Sequence, residues 1–194
     1  MSNLYGTYTL RTRYGLDDQV PDTLYGTSSD DVIRGYGGND TLYGNAGHDV
    51  IYGGHGDDWI RGGTGWDTMT GGTGQDTFEF YKGHSGPGYA QADIITDFDT
   101  NEDSILFQTS SPPGTTSNYA EFAFTGDGTY EGTYNIALGL AQDDIHGGRV
   151  QFAFYTDGKD GYLFADLDHN GTVDTGIELR GLTSTGDFSH LNIF

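Results

Sequence analysis

From Gly26 to Glu79 the chain writes one pattern six times in succession: GTSSDDVIR, GYGGNDTLY, GNAGHDVIY, GGHGDDWIR, GGTGWDTMT and GGTGQDTFE. A fixed period constrains the fold more than any other feature, because equal copies stack as equivalent units that each bury a face against their neighbours. The template is GGxGxDxUx, with U a large apolar residue. Its sixth column reads Asp31, Asp40, Asp49, Asp58, Asp67 and Asp76, and its eighth reads Ile33, Leu42, Ile51, Ile60, Met69 and Phe78. Asp22 to Tyr25 fit positions six to nine of a degenerate earlier copy, which is assigned to an N-terminal cap over residues 1–25.

Each copy divides into a glycine-rich half that can take positive φ and a short half, such as TLY or VIY, that suits a strand with its middle side chain inward. A three-residue strand cannot stand alone. Successive copies therefore alternate between two parallel sheets, stacking Leu24, Leu42, Ile60 and Phe78 against Ile33, Ile51 and Met69 in a flattened roll. This places aspartates two repeats apart about one strand spacing, ~4.8 Å, from each other. At an effective dielectric of ~20 such a pair repels by roughly 3 to 4 kcal/mol. A cation is the missing term. Carboxylates and glycine-loop carbonyls make an all-oxygen cage, and flexible loops favour Ca²⁺ over the strict octahedron of Mg²⁺. The expectation is calcium between the loops of repeats i and i+2. The chain has no Cys, and His48 and His55 sit at variable loop positions where they read as solvated, so zinc is disfavoured.

The formal net charge of −21, with eight Lys and Arg, sets nucleic acid and anionic membranes aside as partners. MSNLYGTYTLRTRYG shows no apolar signal region, and no apolar run is long enough to insert in a membrane.

The nonapeptides resemble those of the RTX (repeats-in-toxin) proteins, bacterial calcium-binding products exported by type I secretion. The resemblance implies an all-β fold: a right-handed parallel β-roll of six nonapeptides over residues 26–79, with residues 80–194 forming a β-rich antiparallel C-terminal cap. It also implies metal ligation by Asp31, Asp40, Asp49, Asp58, Asp67 and Asp76. Loop carbonyls would join them from Gly35, Gly38, Gly44, Gly47, Gly53, Gly54, Gly56, Gly62, Gly63, Gly65, Gly71, Gly72 and Gly74. Thr27, Ser28 and Ser29 depart from the glycine pattern, which makes the Asp31 site the least conforming.

Beyond the repeats, ADIITDFDTNEDSILF resembles the segment that closes such rolls in serralysin-type C-terminal domains, and Asp97 is expected to cover the last loop and complete a calcium site. SSPPGTTS reads as an exposed loop, whereas AEFAFTG, RVQFAFYTDG, GYLFADL and GIELRGL alternate like antiparallel strands. DLDHNGTVD offers Asp166, Asp168, Asn170 and Asp174 as further candidate ligands, with Asp22 another. It is a partial EF-hand loop, since the twelfth position from Asp166 is Ile177 in place of glutamate. The apolar end of TGDFSHLNIF resembles the uncleaved export signal of RTX proteins.

No HExxH, GxSxG or phosphate loop is present, and the chain is read as a binding protein without catalysis. The function expected is a secreted bacterial protein that folds on Ca²⁺ outside the cell, with the type I secretion machinery as its partner. Two alternatives stand beside it. Tyr25, Tyr43 and Trp59 occupy outward positions of one sheet, where they either form a shelf for a glycan or pack as a cross-strand ladder. The chain would otherwise be a C-terminal domain of a longer secreted enzyme.

Overall fold

The computed structural model describes residues 19–108, 119–123, 126, 129–146, 151–183, 188, 192 and 193. The eighth-column side chains sort the strands into two facing sheets. One holds β1 (Thr23–Tyr25), β3 (Thr41–Ala46), β5 (Trp59–Thr64) and β7 (Thr77–Tyr81), and the other holds β2 (Val32–Gly37), β4 (Val50–His55) and β6 (Thr68–Thr73). All neighbours are parallel. Leu24 lies opposite Leu42, Leu42 opposite Ile60 and Ile60 opposite Phe78, while Ile33 lies opposite Ile51 and Ile51 opposite Met69. From Ile33 to Phe78 the eighth-column side chains are buried in one core between the sheets.

Most roll strands run to six residues, longer than the three that the period requires, because pairing resumes after the first glycine of each repeat. Arg34 pairs with Tyr52 and Tyr36 with Gly54, so Gly35 and Gly53 are left out of the ladder. The second and fourth columns carry the turn. Gly54 and Gly56 have φ of 124° and 118°, and a Cβ on Gly54 would come within 3.0 Å of the Tyr36 Cα, so both conformation and space demand glycine there. Tyr36 and Asn45 occupy the second column with φ of 73° and 77°.

The parallel stack continues past Glu79. β8 (Asp93–Ile95) adds to β6 and β9 (Ser104–Gln108) adds to β7, bringing Ile95 beside Met69 and Ile105 beside Phe78. The expected boundary after residue 79 thus falls inside the stack, because Asp93-Ile94-Ile95 and Asp103-Ser104-Ile105 reproduce the Asp-x-apolar half of the repeat. Similarly, β1 is a rung of the roll although it falls in the segment assigned to the N-terminal cap.

The second sheet then extends through β10 (Tyr119–Ala123), β11 (Phe152–Thr156), β12 (Asp160–Ala165) and β13 (Thr175–Arg180), in the order β10-β11-β12-β13-β8-β6-β4-β2. β11, β12 and β13 are antiparallel neighbours, as the alternation suggested. β10 meets β11 in parallel and β13 meets β8 in parallel, which joins cap and roll into one sheet. A helix absent from the sequence expectation, α1 (Tyr130–His146), covers the outer face of this extension. Tyr134, Ala137, Ala141 and Ile145 form its buried stripe against Ala153, Tyr155, Tyr162 and Phe164. The SSPPGTTS loop lies outside the described residues. Of the final segment, Phe188 stacks on Phe154 at 4.8 Å, and Ile193 is buried in a parallel bridge with Ile105.

Candidate metal centre

The sixth-column aspartates are all buried. Each strand pairing fixes one carboxylate oxygen: Oδ1 accepts the backbone N–H of the aspartate two rungs earlier. Asp40 accepts from Asp22 at 2.7 Å, Asp49 from Asp31 at 2.8 Å, Asp58 from Asp40 at 2.8 Å, Asp67 from Asp49 at 2.9 Å and Asp76 from Asp58 at 2.9 Å. The column runs on beyond the repeats. Asp93 accepts from Asp67 at 2.8 Å and Asp103 from Asp76 at 3.0 Å. Neither was singled out as a ligand from the sequence, although the Asp-x-Ile spacing shared with the repeats was the available signal.

In five of these carboxylates the other oxygen has no such donor. Oδ2 of Asp49, Asp58, Asp67, Asp76 and Asp93 is buried and accepts no hydrogen bond. A buried carboxylate oxygen with no donor is costly, so the protein atoms alone leave this column incomplete. The first-column glycines shape the space beside it. A Cβ on Gly35, Gly44, Gly53, Gly62 or Gly71 would overlap Oδ2 of Asp40, Asp49, Asp58, Asp67 or Asp76, respectively. At Gly53 it would also lie 2.5 Å from the Gly71 carbonyl oxygen, and at Gly35 2.6 Å from that of Gly53. Carboxylate and carbonyl oxygens therefore converge where glycine leaves room, an oxygen-only donor set that fits a hard cation. Gly54, Gly63 and Gly72 in the second column, and Gly38, Gly47, Gly56, Gly65 and Gly74 in the fourth, shape the turns by their positive φ.

Burial without a counter-charge shows in the acidities. Desolvation, followed by repulsion from neighbouring carboxylates, raises Asp49 and Asp76 to about 7. Asp58, Asp67 and Asp103 rise to about 6, again chiefly by desolvation. Asp93, fully enclosed and facing Asp67, is pushed well above the usual carboxylate range.

The remaining candidates fall elsewhere. The Asp31 Oδ2 accepts the Thr27 N–H and hydroxyl. Asp97 does cover the last roll loop, but from its exposed side, where its two oxygens accept the Gly71 and Gly72 N–H groups at 2.9 Å each. Asp22 joins the column through its backbone N–H. Asp166, Asp168 and Asp174 bring carboxylate oxygens within 4.8 Å of one another, yet the Lys82 ammonium already bridges Asp168 and Asp174. The Asn170 side-chain oxygen turns back to the Thr172 N–H.

Tyr25 and Tyr43 belong to a cross-strand ladder that continues to Arg61, whereas Trp59 lies in a neighbouring row, in register with Thr41 and Thr77. Tyr25 stacks on Tyr43 at 4.9 Å, and the Arg61 guanidinium lies over the Tyr43 and Tyr81 rings at 4.9 and 4.7 Å. Arg61 pairs with the buried Glu79, which also accepts from Trp59 Nε1 at 3.1 Å and Gln108 Nε2 at 2.7 Å.

Two parallel sheets wound around one core, with buried aspartates stacked along the turns, define a calcium-binding β-roll. The RTX calcium-binding nonapeptide repeat family (four copies) matches residues 21–51 and 43–78, so this part of the chain consists of RTX repeats and its cation is Ca²⁺. The fold is shared with the R2 subunit of the AlgE6 mannuronan C5-epimerase of Azotobacter vinelandii, at 24% identity and a TM-score of 0.52 over 90% of this chain and 92% of that one. The R3 subunit of the same epimerase aligns over 92% of this chain and 78% of its own, at 25% identity and a TM-score of 0.41. No curated protein matches the chain.

Proposed function

We propose that the chain is an exported bacterial RTX module whose folding is switched on by calcium outside the cell. The observation that supports this reading is the row of buried Oδ2 atoms on Asp49, Asp58, Asp67 and Asp76, each facing a first-column glycine and without a donor. In low cytosolic calcium, charge repulsion along the column and a net charge of −21 keep the chain extended, the state a type I secretion machine threads. At extracellular calcium, Asp40, Asp49, Asp58, Asp67 and Asp76, with carbonyls of the first-column glycines, hold the ions, and binding free energy becomes folding free energy. The role is calcium binding coupled to folding. No helix among the described residues is long and apolar enough to cross a membrane.

The test is circular dichroism during a calcium titration, with chelator reversing the change. A spectrum indifferent to calcium defeats the switch. Export of a chain cut after Asp187 tests the secretion reading, and undiminished export counts against it. A second reading, attachment to a secreted enzyme, draws on the likeness to epimerase subunits over most of the chain.

A further inference from the structure

We infer that the calcium-holding column is displaced along the roll relative to the nonapeptides: Asp93, which no repeat contains, is a ligand, while Asp31 and Asp103 are closed ends that hold no ion. This rests on the calcium reading proposed above and specifies which residues execute it. The contrast lies in what each second oxygen meets. At the first repeat, Asp31 Oδ2 accepts two hydrogen bonds from Thr27, from the N–H at 2.6 Å and the hydroxyl at 2.8 Å. Thr27 stands in the second column, where later repeats carry Tyr36, Asn45 and then glycine, so a hydroxyl found there in this repeat alone supplies the donor. At the far end, Asp103 Oδ2 accepts the Asp99 N–H at 2.8 Å, because the 99–103 turn folds back on its own carboxylate. At both ends the second oxygen thus has a protein donor.

Asp93 has the opposite surroundings. It is 0% exposed, its Oδ1 accepts the Asp67 N–H, and its Oδ2 accepts nothing. The adjacent Ser85 hydroxyl accepts the Asp93 N–H and donates to the Gly176 carbonyl, each at 2.7 Å, so its proton is already placed. β8 also binds β13 of the cap, with Asp93 opposite Ile177. An ion at Asp93 therefore sits at the seam between roll and cap.

The test is calcium stoichiometry by isothermal titration calorimetry on the full chain, comparing wild type with Asp93→Asn, Asp31→Asn and Asp103→Asn. Asparagine keeps the Oδ1 acceptor and replaces only the second oxygen. Asp93→Asn is expected to bind at least one ion fewer and to need several-fold more calcium to fold, whereas the other two variants keep the wild-type count. An unchanged count in Asp93→Asn, or a lost ion in Asp31→Asn or Asp103→Asn, overturns the inference. Denaturant unfolding adds a second readout: removing calcium costs Asp93→Asn less stability than it costs wild type, and an equal loss overturns the inference too. Failure of Asp93→Asn to fold even in excess calcium shows a structural role and does the same. Wild type that binds no calcium defeats the functional reading instead, and the first titration reveals it.

Discussion

Replacing Gly53 by alanine isolates the contribution of a single cage. Its φ lies outside the left-handed region, so alanine meets no backbone penalty there, but the added methyl would sit 2.5 Å from the Gly71 carbonyl oxygen and against Asp58 Oδ2. The methyl fills the space in which those oxygens meet the ion. For extracellular sites with Kd of roughly 10⁻⁴ to 10⁻³ M, one ion at about 10 mM calcium contributes about 1.4 to 2.7 kcal/mol. A chain of this size shifts by about 2 to 4 °C per kcal/mol, so Gly53→Ala should lower Tm by roughly 3 to 10 °C at that calcium level. Differential scanning calorimetry at high and low calcium checks it. The gap between variant and wild type should narrow as calcium falls, and a gap of the same size at both levels would refute the cage argument, leaving only a steric clash. Gly139→Ala in α1, where a Cβ meets nothing within 4 Å, is the control and should stabilise by about 0.5 to 1 kcal/mol.

Protons compete with calcium for the same oxygens. Asp49 and Asp76 hold their protons up to about pH 7 in the metal-free roll, above the unfolded value, so their contribution to metal-free stability is present below about pH 4 and lost as pH rises through 7. For a carboxyl with pKa near 7, the ionised fraction falls about tenfold from pH 8 to pH 6, and calcium titrations at the two pH values should show a midpoint raised by that factor or more at pH 6; coincident curves would contradict it. Arg61→Ala removes the guanidinium from the buried Glu79 and should cost about 1.5 to 3 kcal/mol in urea unfolding, whereas a cost near zero would mean that Trp59 and Gln108 suffice. Tyr36 adopts φ 73° with its side chain largely exposed, so Tyr36→Gly should stabilise by about 1 kcal/mol, and a fall in Tm would show that its ring has a packing role.

What the sequence disclosed is what recurs at fixed spacing. The two alternating sheets and the pairing of Leu42 with Ile60 or Ile51 with Met69 follow from the nine-residue period, because one misplaced residue would turn every apolar side chain outward. Asp93 and Asp103 escaped because irregular loops separate them from the last repeat, and their glycine halves are missing. α1 escaped for a different reason. Its buried stripe is built from Ala137 and Ala141 beside Tyr134 and Ile145, a weak apolar signal interrupted by Gly132 and Gly139. The surface that selects it, the outer face of β11 to β13, exists only after distant strands have paired. The split behaviour of the aspartates was likewise hidden, since Asp31 and Asp49 share a column and differ only in whether a threonine two positions into the repeat reaches back.

The stopper at the far end of the roll is made of residues synthesised after every rung it seals. Asn192 Nδ2 spans 92 and 89 positions to reach the Thr100 and Asp103 carbonyl oxygens, and Ile193 lies along Ile105. A nascent chain that has left the ribosome only as far as Gln108 owns β1 to β9 of the stack yet lacks the lid on the last of them. Completion is thereby timed to the arrival of Asn192 and Ile193.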